Sequence, residues 1–303
     1  MKKTNIAHAA KFSFIALLAV IILASCRTTP FTGRRQLLLV PNSQVLALSL
    51  QQYNQFMSTA NVVTDTDDAR MVQRVGERLA IAVETFYRNN GMEGELRNFN
   101  WSFSLVNDPS VNAFALPGGK VVIFTGLLPV TQTEEALAVV VGHEIAHIIA
   151  HHASERISQQ LMLQGVTGLG SAALGNTQRA QIGAAVFGLG AQAFVMLPFS
   201  RQQEHEADEI GLAIMALAGY DPRAAIPFWT RMMEMGGGGH PLPFLSTHPT
   251  DAARIAHIER IMPYAMMFYL GPGVQNQTTE PIRTNVNIPQ TANEPRTSDE
   301  WSF

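Results

Sequence analysis

The chain has 303 residues, of which 47% are hydrophobic and 15% are charged, so it can bury a substantial core and is not disordered overall. Its 21 basic and 24 acidic residues give a formal net charge of -3. This balance lacks the basic character of nucleic-acid-binding proteins, so we expect no nucleic-acid partner. Cys26 is the single cysteine, which excludes a framework of disulfides within the chain.

The N-terminus has the pattern of a secretory signal peptide. Three lysines within the first eleven residues precede a short apolar run from Phe12 to Leu23. The sequence Leu23-Ala24-Ser25-Cys26 then resembles a bacterial lipobox, in which the cysteine is lipidated and becomes the first residue. We therefore predict a lipoprotein signal peptide over residues 1–25 and lipidation of Cys26. A plain signal peptide and an uncleaved anchor are the alternatives.

The predicted lipid defines the expected location. It would attach the chain to a membrane of the cell envelope. An aspartate after the cysteine would resemble an inner-membrane retention signal. Arg27 stands there instead, which favours the outer membrane facing the periplasm.

The remaining chain predicts mostly helices around a few strands. Residues 27 to 41 have the composition of a membrane tether. The predicted elements, in chain order, are a helix from Asn42 to about Met57, a helix opened by Asp65 to Asp68, a strand from Trp101 to Val106, a hairpin of Asn112 to Leu116 and Lys120 to Thr125, a helix from Thr131 or Thr133 to about Arg156, a broken helical pair over 157–200, and helices over Glu204 to Ala218, Asp221 to Met235 and Thr250 to Met262.

The apolar stretch from Ile182 to Phe199 is almost long enough to span a membrane. It contains Gln192 and glycines, and arginines flank it on both sides. These features favour a buried or lid-like helix over a membrane span.

The sequence His143-Glu144-Ile145-Ala146-His147 lies within the predicted apolar helix. Residues i and i+4 share a helical face, so both imidazoles can reach one metal ion. Glu144 lies about 100° around the helix, where a general base could take a proton from a metal-activated water. A chance pentapeptide on a core helix is the alternative, but burying these polar groups without partners would be costly.

A catalytic zinc site needs a third protein ligand. Glu204 is a better candidate for this ligand than His151 or His152. Asp208, one turn later on the same predicted helix, could accept the outer N–H of a ligand histidine. His151 and His152 are expected to be polar residues near the end of the active-site helix. Glu206 is expected to be solvated.

Four segments together resemble peptidase family M48. They are the His-Glu-x-x-His motif, the segment Ser200 to Asp208, Ser246-Thr247-His248-Pro249, and Asn112 to Gly119. The resemblance covers about residues 65 to 262. It implies an α+β, mainly α, gluzincin-type metallopeptidase fold in which the active-site helix packs beside a small β-sheet. It also implies one Zn²⁺ per chain, bound by His143, His147 and Glu204, with Glu144 as the catalytic base.

Two further roles remain open at this point. Asn112, Ala113 and Phe114 could pair with an extended peptide substrate, or they could form an ordinary core hairpin. By resemblance, His248 could stabilise the oxyanion of the reaction, or bind zinc and keep the enzyme silent. A plain loop histidine is the alternative. Arg254 could orient the loop that carries His248.

The division that we predict is a signal peptide over 1–25, a tether and N-terminal helix over 26–64, a zinc peptidase domain over 65–265 and a flexible tail over 266–303. We expect an endopeptidase that degrades misfolded or misassembled envelope proteins. A membrane-tethered chaperone or assembly factor, and a secreted protease acting outside the cell, are the alternatives. No residue pattern indicates the oligomeric state.

Overall fold

The computed structural model describes residues 26–168, 200–236 and 242–273. The predicted signal peptide, the apolar stretch 182–199 and most of the predicted C-terminal tail lie outside the described residues. So does most of the glycine run that begins at Gly236.

Helices dominate the described residues, and the strands are short. The strands are β1 (Cys26–Thr28), β2 (Arg35–Leu37), β3 (Val62–Val63), β4 (Ser102–Val106), β5 (Ala113–Leu116) and β6 (Lys120–Phe124). The α-helices are α1 (Asn42–Met57), α2 (Asp67–Asn89), α3 (Glu93–Leu96), α4 (Leu128–Thr131), α5 (Glu134–Ile149), α6 (His152–Gly168), α7 (Arg201–Leu217), α8 (Ala225–Gly236), α9 (Pro243–Thr247) and α10 (Ala252–Met266). This composition confirms the expected mainly α class with a small sheet.

Four strands form one mixed sheet in the order β3-β4-β6-β5. The predicted hairpin is confirmed, because β5 pairs antiparallel with β6 and Ala113 lies opposite Ile123. β4 runs parallel to β6, and β3 runs antiparallel to β4. β5 is therefore an edge strand, and its second edge has no β-strand partner among the described residues.

The active-site helix α5 is almost entirely buried, from Ala136 to Ile149. It packs closely on α7 because Gly142 of α5 faces Gly211 of α7. A methyl group on Gly211 would lie 2.9 Å from the backbone nitrogen of His143 and 3.0 Å from the carbonyl carbon of Gly142. This contact sets the spacing between the two helices that carry the predicted metal ligands.

Two predicted helix ends were wrong. The helix predicted to reach Arg156 ends at Ile149, because the chain turns through Ala150 and His151, which has a φ of 54°, before α6 begins. α10 continues past Pro263 to Met266, since Ala265 and Phe268 beyond the proline are buried in the core. In the described ranges no single helix is long and apolar enough to cross a membrane, although α5 and the first part of α6, bent by 50°, pass that test of length and composition together.

Part of the segment that we expected to be a tether is folded against the domain. Residues 26–37 form the N-terminal hairpin, in which β1 pairs antiparallel with β2. Phe31 at its turn is buried and stacks on Phe86 of α2, with the ring centroids 3.7 Å apart. The apolar contact holds this segment in place.

Candidate metal centre

Helix α5 places His143, Glu144 and His147 deep in the protein. Its first turn is stabilised by Thr133, whose hydroxyl accepts the backbone N–H of Ala136 at 3.1 Å. The side chains of His143, Glu144 and His147 are each exposed by 4% or less. A helix that is apolar on all sides is buried, so its few polar residues must find partners inside the core.

Helix α7 brings the third predicted ligand to the same place. Ser200 and Gln203 form a capping box at its N-terminus. One turn into the helix, Glu204 faces the two histidines of α5, and Asp208 follows on the same face. The local sequence thus fixes where α7 begins and which side chains it directs towards α5.

The donor atoms of three predicted ligands converge. Nε2 of His143 lies 3.0 Å from Nε2 of His147 and 3.3 Å from Oε2 of Glu204. Nε2 of His147 lies 3.4 Å from Oε1 of Glu204. Donors that bind one tetrahedral zinc ion at about 2.0–2.1 Å stand roughly 3.3 Å apart, so this spacing fits zinc.

His248 adds a fourth donor to the cluster. It follows the short helix α9, and its Nδ1 lies 3.2 Å from Nε2 of His143 and 3.1 Å from Oε1 of Glu204. Its Nε2 lies 3.2 Å from Oε1 of Glu144. The ligand atoms of His143, His147, Glu204 and His248 all lie within 4.8 Å of one another.

Two carboxylate oxygens support the fit to a cation. Oε1 of Glu144 and Oε2 of Glu204 are buried and make no hydrogen bond within the described residues. Arg254 Nη1 lies 2.9 Å from Oε2 of Glu204, at ion-pair distance but without hydrogen-bond geometry. Buried carboxylate oxygens normally have hydrogen-bond partners; a bound metal ion would satisfy Oε2 of Glu204, and a water on that ion would satisfy Oε1 of Glu144.

The electrostatics of the cluster favour positive charge beside Glu204. Burial alone would lower the pKa of His143, but Glu204 and Asp208 outweigh it and raise that pKa to about 9. Burial opposes the charged form of Glu204 as well, yet His248, Arg254 and His143 hold its pKa well below the usual value. Burial raises the pKa of Glu144, although His248 and His143 oppose this shift. Glu144 is therefore a stronger base than an exposed glutamate.

Asp208 holds His143 in one orientation, as the spacing suggested. Its Oδ1 lies 2.9 Å from Nδ1 of His143. Arg254 reaches the same carboxylate with Nε at 2.8 Å from Oδ2 and Nη2 at 2.7 Å from Oδ1. The guanidinium also packs over Trp229 at 3.5 Å from the ring centroid. Arg254 therefore contacts the carboxylates of the cluster directly, a more central position than the loop role expected for it.

The predicted substrate strand lies beside Glu144. Burial raises the pKa of Glu144, and the nearby backbone N–H of Ala115 in β5 opposes this shift. Residues two apart in a strand direct their backbone groups to the same side, so Ala113 also faces the free edge of β5. The backbone groups of Asn112 and Phe114 point to β6 in this alternation. The N–H of Phe124 donates to the carbonyl of Asn112 at 3.1 Å.

Comparison with known proteins identifies the family. The model of peptidase family M48 matches residues 67–262. The chain belongs to peptidase family M48. The match includes both ligand-bearing helices and the loop of His248.

Curated relatives agree with this assignment. The mitochondrial metalloendopeptidase OMA1 of Schizosaccharomyces pombe is 40% identical over 173 residues, which cover 57% of this chain and 50% of the relative. Human metalloendopeptidase OMA1 is 32% identical over 263 residues, covering 84% of this chain and 49% of the relative. The beta-barrel assembly-enhancing protease of Escherichia coli is 32% identical over 161 residues, covering 51% of this chain and 33% of the relative. The chain thus spans about half the length, or less, of these relatives.

The metal follows from the family and the donor set together. M48 metalloproteases use zinc, and two imidazole nitrogens with a carboxylate are ligands that zinc binds readily. Zinc is therefore the cofactor of this M48 chain.

Two residues beside the M48 site were misjudged from the sequence. His152 is fully buried, and its Nδ1 lies 2.8 Å from Nδ1 of His147. Glu206 is not solvated: it is buried, and its Oε2 lies 2.9 Å from Nε2 of His152. The turn at His151 redirects the chain, so that a residue expected at a helix end points into the core. His152 follows His147 by five residues, a spacing that no single helical face predicts.

Proposed function

We propose that this chain is a zinc-dependent endopeptidase that hydrolyses internal peptide bonds of proteins. In this proposal His143, His147 and Glu204 bind zinc, and Glu144 is the general base. The observation that carries the proposal is the convergence of these three donors with an unligated, buried glutamate beside them. A purely structural zinc site has no use for that glutamate.

The chemistry divides between the metal and the chain. Zinc, when bound, polarises the scissile carbonyl and lowers the pKa of water. Glu144 takes a proton from the attacking water and returns it to the leaving amine. The burial that raises its pKa suits both steps, because the same carboxyl group must accept and then donate a proton. Asp208 keeps Nδ1 of His143 hydrogen-bonded, so that Nε2 faces the cluster.

We propose further that His248 acts as a latch, a side chain that blocks the metal-binding site and Glu144 until its loop moves away. The sequence left two active roles open, stabilising the oxyanion or blocking the metal. Contact of Nδ1 with two ligand side chains, and of Nε2 with Glu144, supports the blocking role. A histidine in this position competes with water and substrate for both the metal and the base. Cleavage then requires the loop after α9 to move away.

The free edge of β5 is the proposed substrate-binding strand. An extended peptide can add to such an edge through its main chain. The variant Ala113→Pro tests this, because it removes the Ala113 N–H, which bonds Oδ1 of Asn112 at 3.0 Å and would have to turn to an incoming peptide, while the bonds of Asn112 and Phe114 to β6 remain. We expect the KM for an unfolded protein to rise with zinc content unchanged. Unchanged cleavage, with an unchanged circular dichroism spectrum, would remove strand addition from the proposal.

The ligand set is tested by zinc content. We expect Glu204→Ala to purify with much less zinc than the parent, measured by mass spectrometry of the metal. Glu209→Ala, on the same helix, is the matched control and should keep the parental amount. Equal zinc in both variants would mean that Glu204 is not a ligand.

We place the protein on the envelope side of a membrane, anchored by a lipid on Cys26. Cys26 begins β1, only three residues before the buried Thr29. A lipid there would hold the domain within about 10 Å of chain length from the membrane surface. Labelling with a fatty-acid analogue should mark the parent and not Cys26→Ser. Label on both proteins, or on neither, would contradict this anchor.

The proposed substrates are misfolded or misassembled envelope proteins. Two relatives support this class, because their names refer to metalloendopeptidase activity and to assembly of β-barrels. The alternative is a membrane-tethered assembly factor with little proteolysis. In a strain lacking the gene, we expect envelope proteins that accumulate to return to normal with the parent and not with Glu144→Gln. Equal rescue by both would favour the assembly factor.

A further inference from the structure

A chain of polar contacts, which we call the relay, runs from His147 through His152 and Glu206 to the N-terminal hairpin. Ionised Glu206 can only accept, so Nε2 of His152 donates to Oε2 of Glu206 across 2.9 Å. Nδ1 of His152 lies 2.8 Å from Nδ1 of His147, so one of these two nitrogens donates to the other. A His147 that binds zinc through Nε2 carries its proton on Nδ1, and Nδ1 of His147 is then the donor. The proton of His147 stays on Nδ1, and the lone pair of Nε2 faces the metal cluster.

Residues of the N-terminal hairpin hold Glu206 in the position that this chain requires. Nε of Arg34 donates to Oε2 of Glu206 at 2.6 Å. The hydroxyl of Thr29 donates to Oε1 at 2.7 Å, and the hydroxyl of Thr32 donates to the same oxygen. The Oγ1 atoms of Thr29 and Thr32 also lie 2.5 Å apart, so the two hydroxyls share their protons with each other and with Glu206. Three residues of one hairpin thus hold a single carboxylate.

The orientation of Arg34 is itself fixed. Its Nη1 and Nη2 donate to the two carboxylate oxygens of Glu155 at 2.7 and 2.8 Å. Gln203 Nε2 donates to the same Glu155 at 2.8 Å. Arg34 therefore joins the start of α6 to α7 in a bidentate geometry that a lysine cannot reproduce in full.

The relay lies in the interior. The His152 side chain is 0% exposed, that of Glu206 is 4% exposed and that of Arg34 is 17% exposed. Water therefore has little access to replace a lost partner. The stacking of Phe31 on Phe86 docks the N-terminal hairpin independently of these polar contacts. All three hairpin donors precede the family match, which begins at residue 67.

We propose that the N-terminal hairpin is a positioning element of the metal centre, acting through Glu206 and His152 to hold His147 ready to bind zinc. This inference rests on the proposed role of His147 as a ligand. Thr29, Thr32 and Arg34 do not touch the metal in this account. They set the tautomer and the ring orientation of a ligand from outside the catalytic domain of the family.

The test compares two neighbouring arginines in the mature full-length chain. Arg34→Met breaks the relay, whereas Arg35→Met changes an exposed residue of the same hairpin. Zinc affinity is measured by competition with a chelating dye. We expect Arg34→Met to bind zinc about 10-fold or more weakly, since loss of a partner that orients a ligand costs 10–100-fold, and Arg35→Met to match the parent. Arg34→Lys, which keeps the charge, should recover part of the loss.

A milder variant covers the case in which Arg34→Met fails to fold. Thr29→Val keeps the shape of the side chain and removes one donor to Glu206, and we expect it to weaken zinc binding at least twofold. Nitrogen NMR of the zinc-loaded parent should show His147 protonated at Nδ1, with this signal broadened or shifted in Thr29→Val. Lower thermal stability with parental zinc affinity and an unchanged His147 signal would mean a merely structural hairpin, and would overturn the inference.

His147→Ala separates this inference from the proposed function. Loss of zinc in His147→Ala, with parental affinity in Arg34→Met and Thr29→Val, would remove the hairpin's role and leave the ligand set intact. Retention of zinc in His147→Ala would overturn both.

Discussion

Nδ1 of His248 lies 3.1 Å from Oε1 of Glu204, so a loop residue and a helix residue far apart in sequence share one donor cluster. The ring of His248 also stacks on Phe244, with the centroids 4.6 Å apart. The N–H of Phe244 donates to the carbonyl of Val111, just before β5. The loop of His248 is therefore tied to the strand that we propose as the substrate edge.

The variant His248→Ala should turn over an unfolded protein faster than the parent. If the latch adds about 1.4 kcal/mol to the cost of opening, its removal raises the rate about 10-fold. Zinc should remain bound, because three other ligands stay in place. Ser246→Ala, an exposed change in the same segment, is the control and should leave the rate unchanged. Parental turnover and zinc affinity in His248→Ala would end both the latch and the oxyanion role.

The variant Arg254→Met should strongly destabilise the fold. Arg254 is 2% exposed and pairs with Asp208 and Glu204. Removing one partner of a buried ion pair leaves uncompensated charge and costs about 3–5 kcal/mol. The free energy of unfolding in urea measures this loss. Arg88→Met breaks a half-exposed pair with Glu84 and should cost only about 0.3–0.5 kcal/mol. Similar losses in both variants would contradict the account.

The variant Gly211→Ala should separate α5 from α7. The added methyl group would lie 2.9 Å from the nitrogen of His143, so backbone has to move. We expect a loss of about 1–3 kcal/mol in stability, despite the better helix propensity of alanine, and weaker zinc binding. In Gly94→Ala the methyl group meets only the end of Arg97, at 3.9 Å, and no loss is expected. Parental zinc affinity in Gly211→Ala would show that this spacing does not set the site.

The first turn of α5 should show a pH-dependent ion pair. Arg74 Nη2 lies 2.7 Å from Oε2 of Glu134, and Arg74 lowers the pKa of that carboxyl. A lowered pKa stabilises the fold above the unfolded value of about 4.3, and this contribution is lost as pH falls through the folded pKa. Arg74→Met should cost about 0.2–1 kcal/mol at pH 7, since the pair is partly exposed, and nothing near pH 2. An equal difference in urea midpoints at both pH values would contradict this.

The sequence predicted the part of the site that follows from local helix geometry. His143 and His147 share one face of α5, and Glu204 and Asp208 share one face of α7, so spacing alone places each pair. The family resemblance then indicated that the two helices contribute to one zinc site and that His248 lies beside it. The sheet was also predictable, since alternation and the turn at Pro117 to Gly119 define β5 and β6.

The relay through His152 and Glu206 was not predictable in this way. It depends on a positive φ at His151 that ends α5 early, and on a hairpin packed from outside the catalytic domain. Such contacts arise from tertiary packing and leave no periodic signal. Two prolines, a glycine and the basic pair Arg34-Arg35 gave residues 27 to 41 the composition of a tether, although Phe31 and Arg34 bind them to the core.

The most direct test of the central claim is cleavage of casein by zinc-loaded His248→Ala, with and without Glu144→Gln, at equal measured zinc content. The His248→Ala background removes the latch, so that an absence of casein cleavage cannot be attributed to blocking by His248. Glu135→Gln, an exposed change one residue into the same helix, is the matched control. We expect His248→Ala and its Glu135→Gln derivative to cut casein, and the Glu144→Gln derivative to be inactive with its zinc retained. Equal cleavage by the Glu144→Gln derivative, or no cleavage by either the zinc-loaded parent or zinc-loaded His248→Ala, would contradict the proposed metalloendopeptidase.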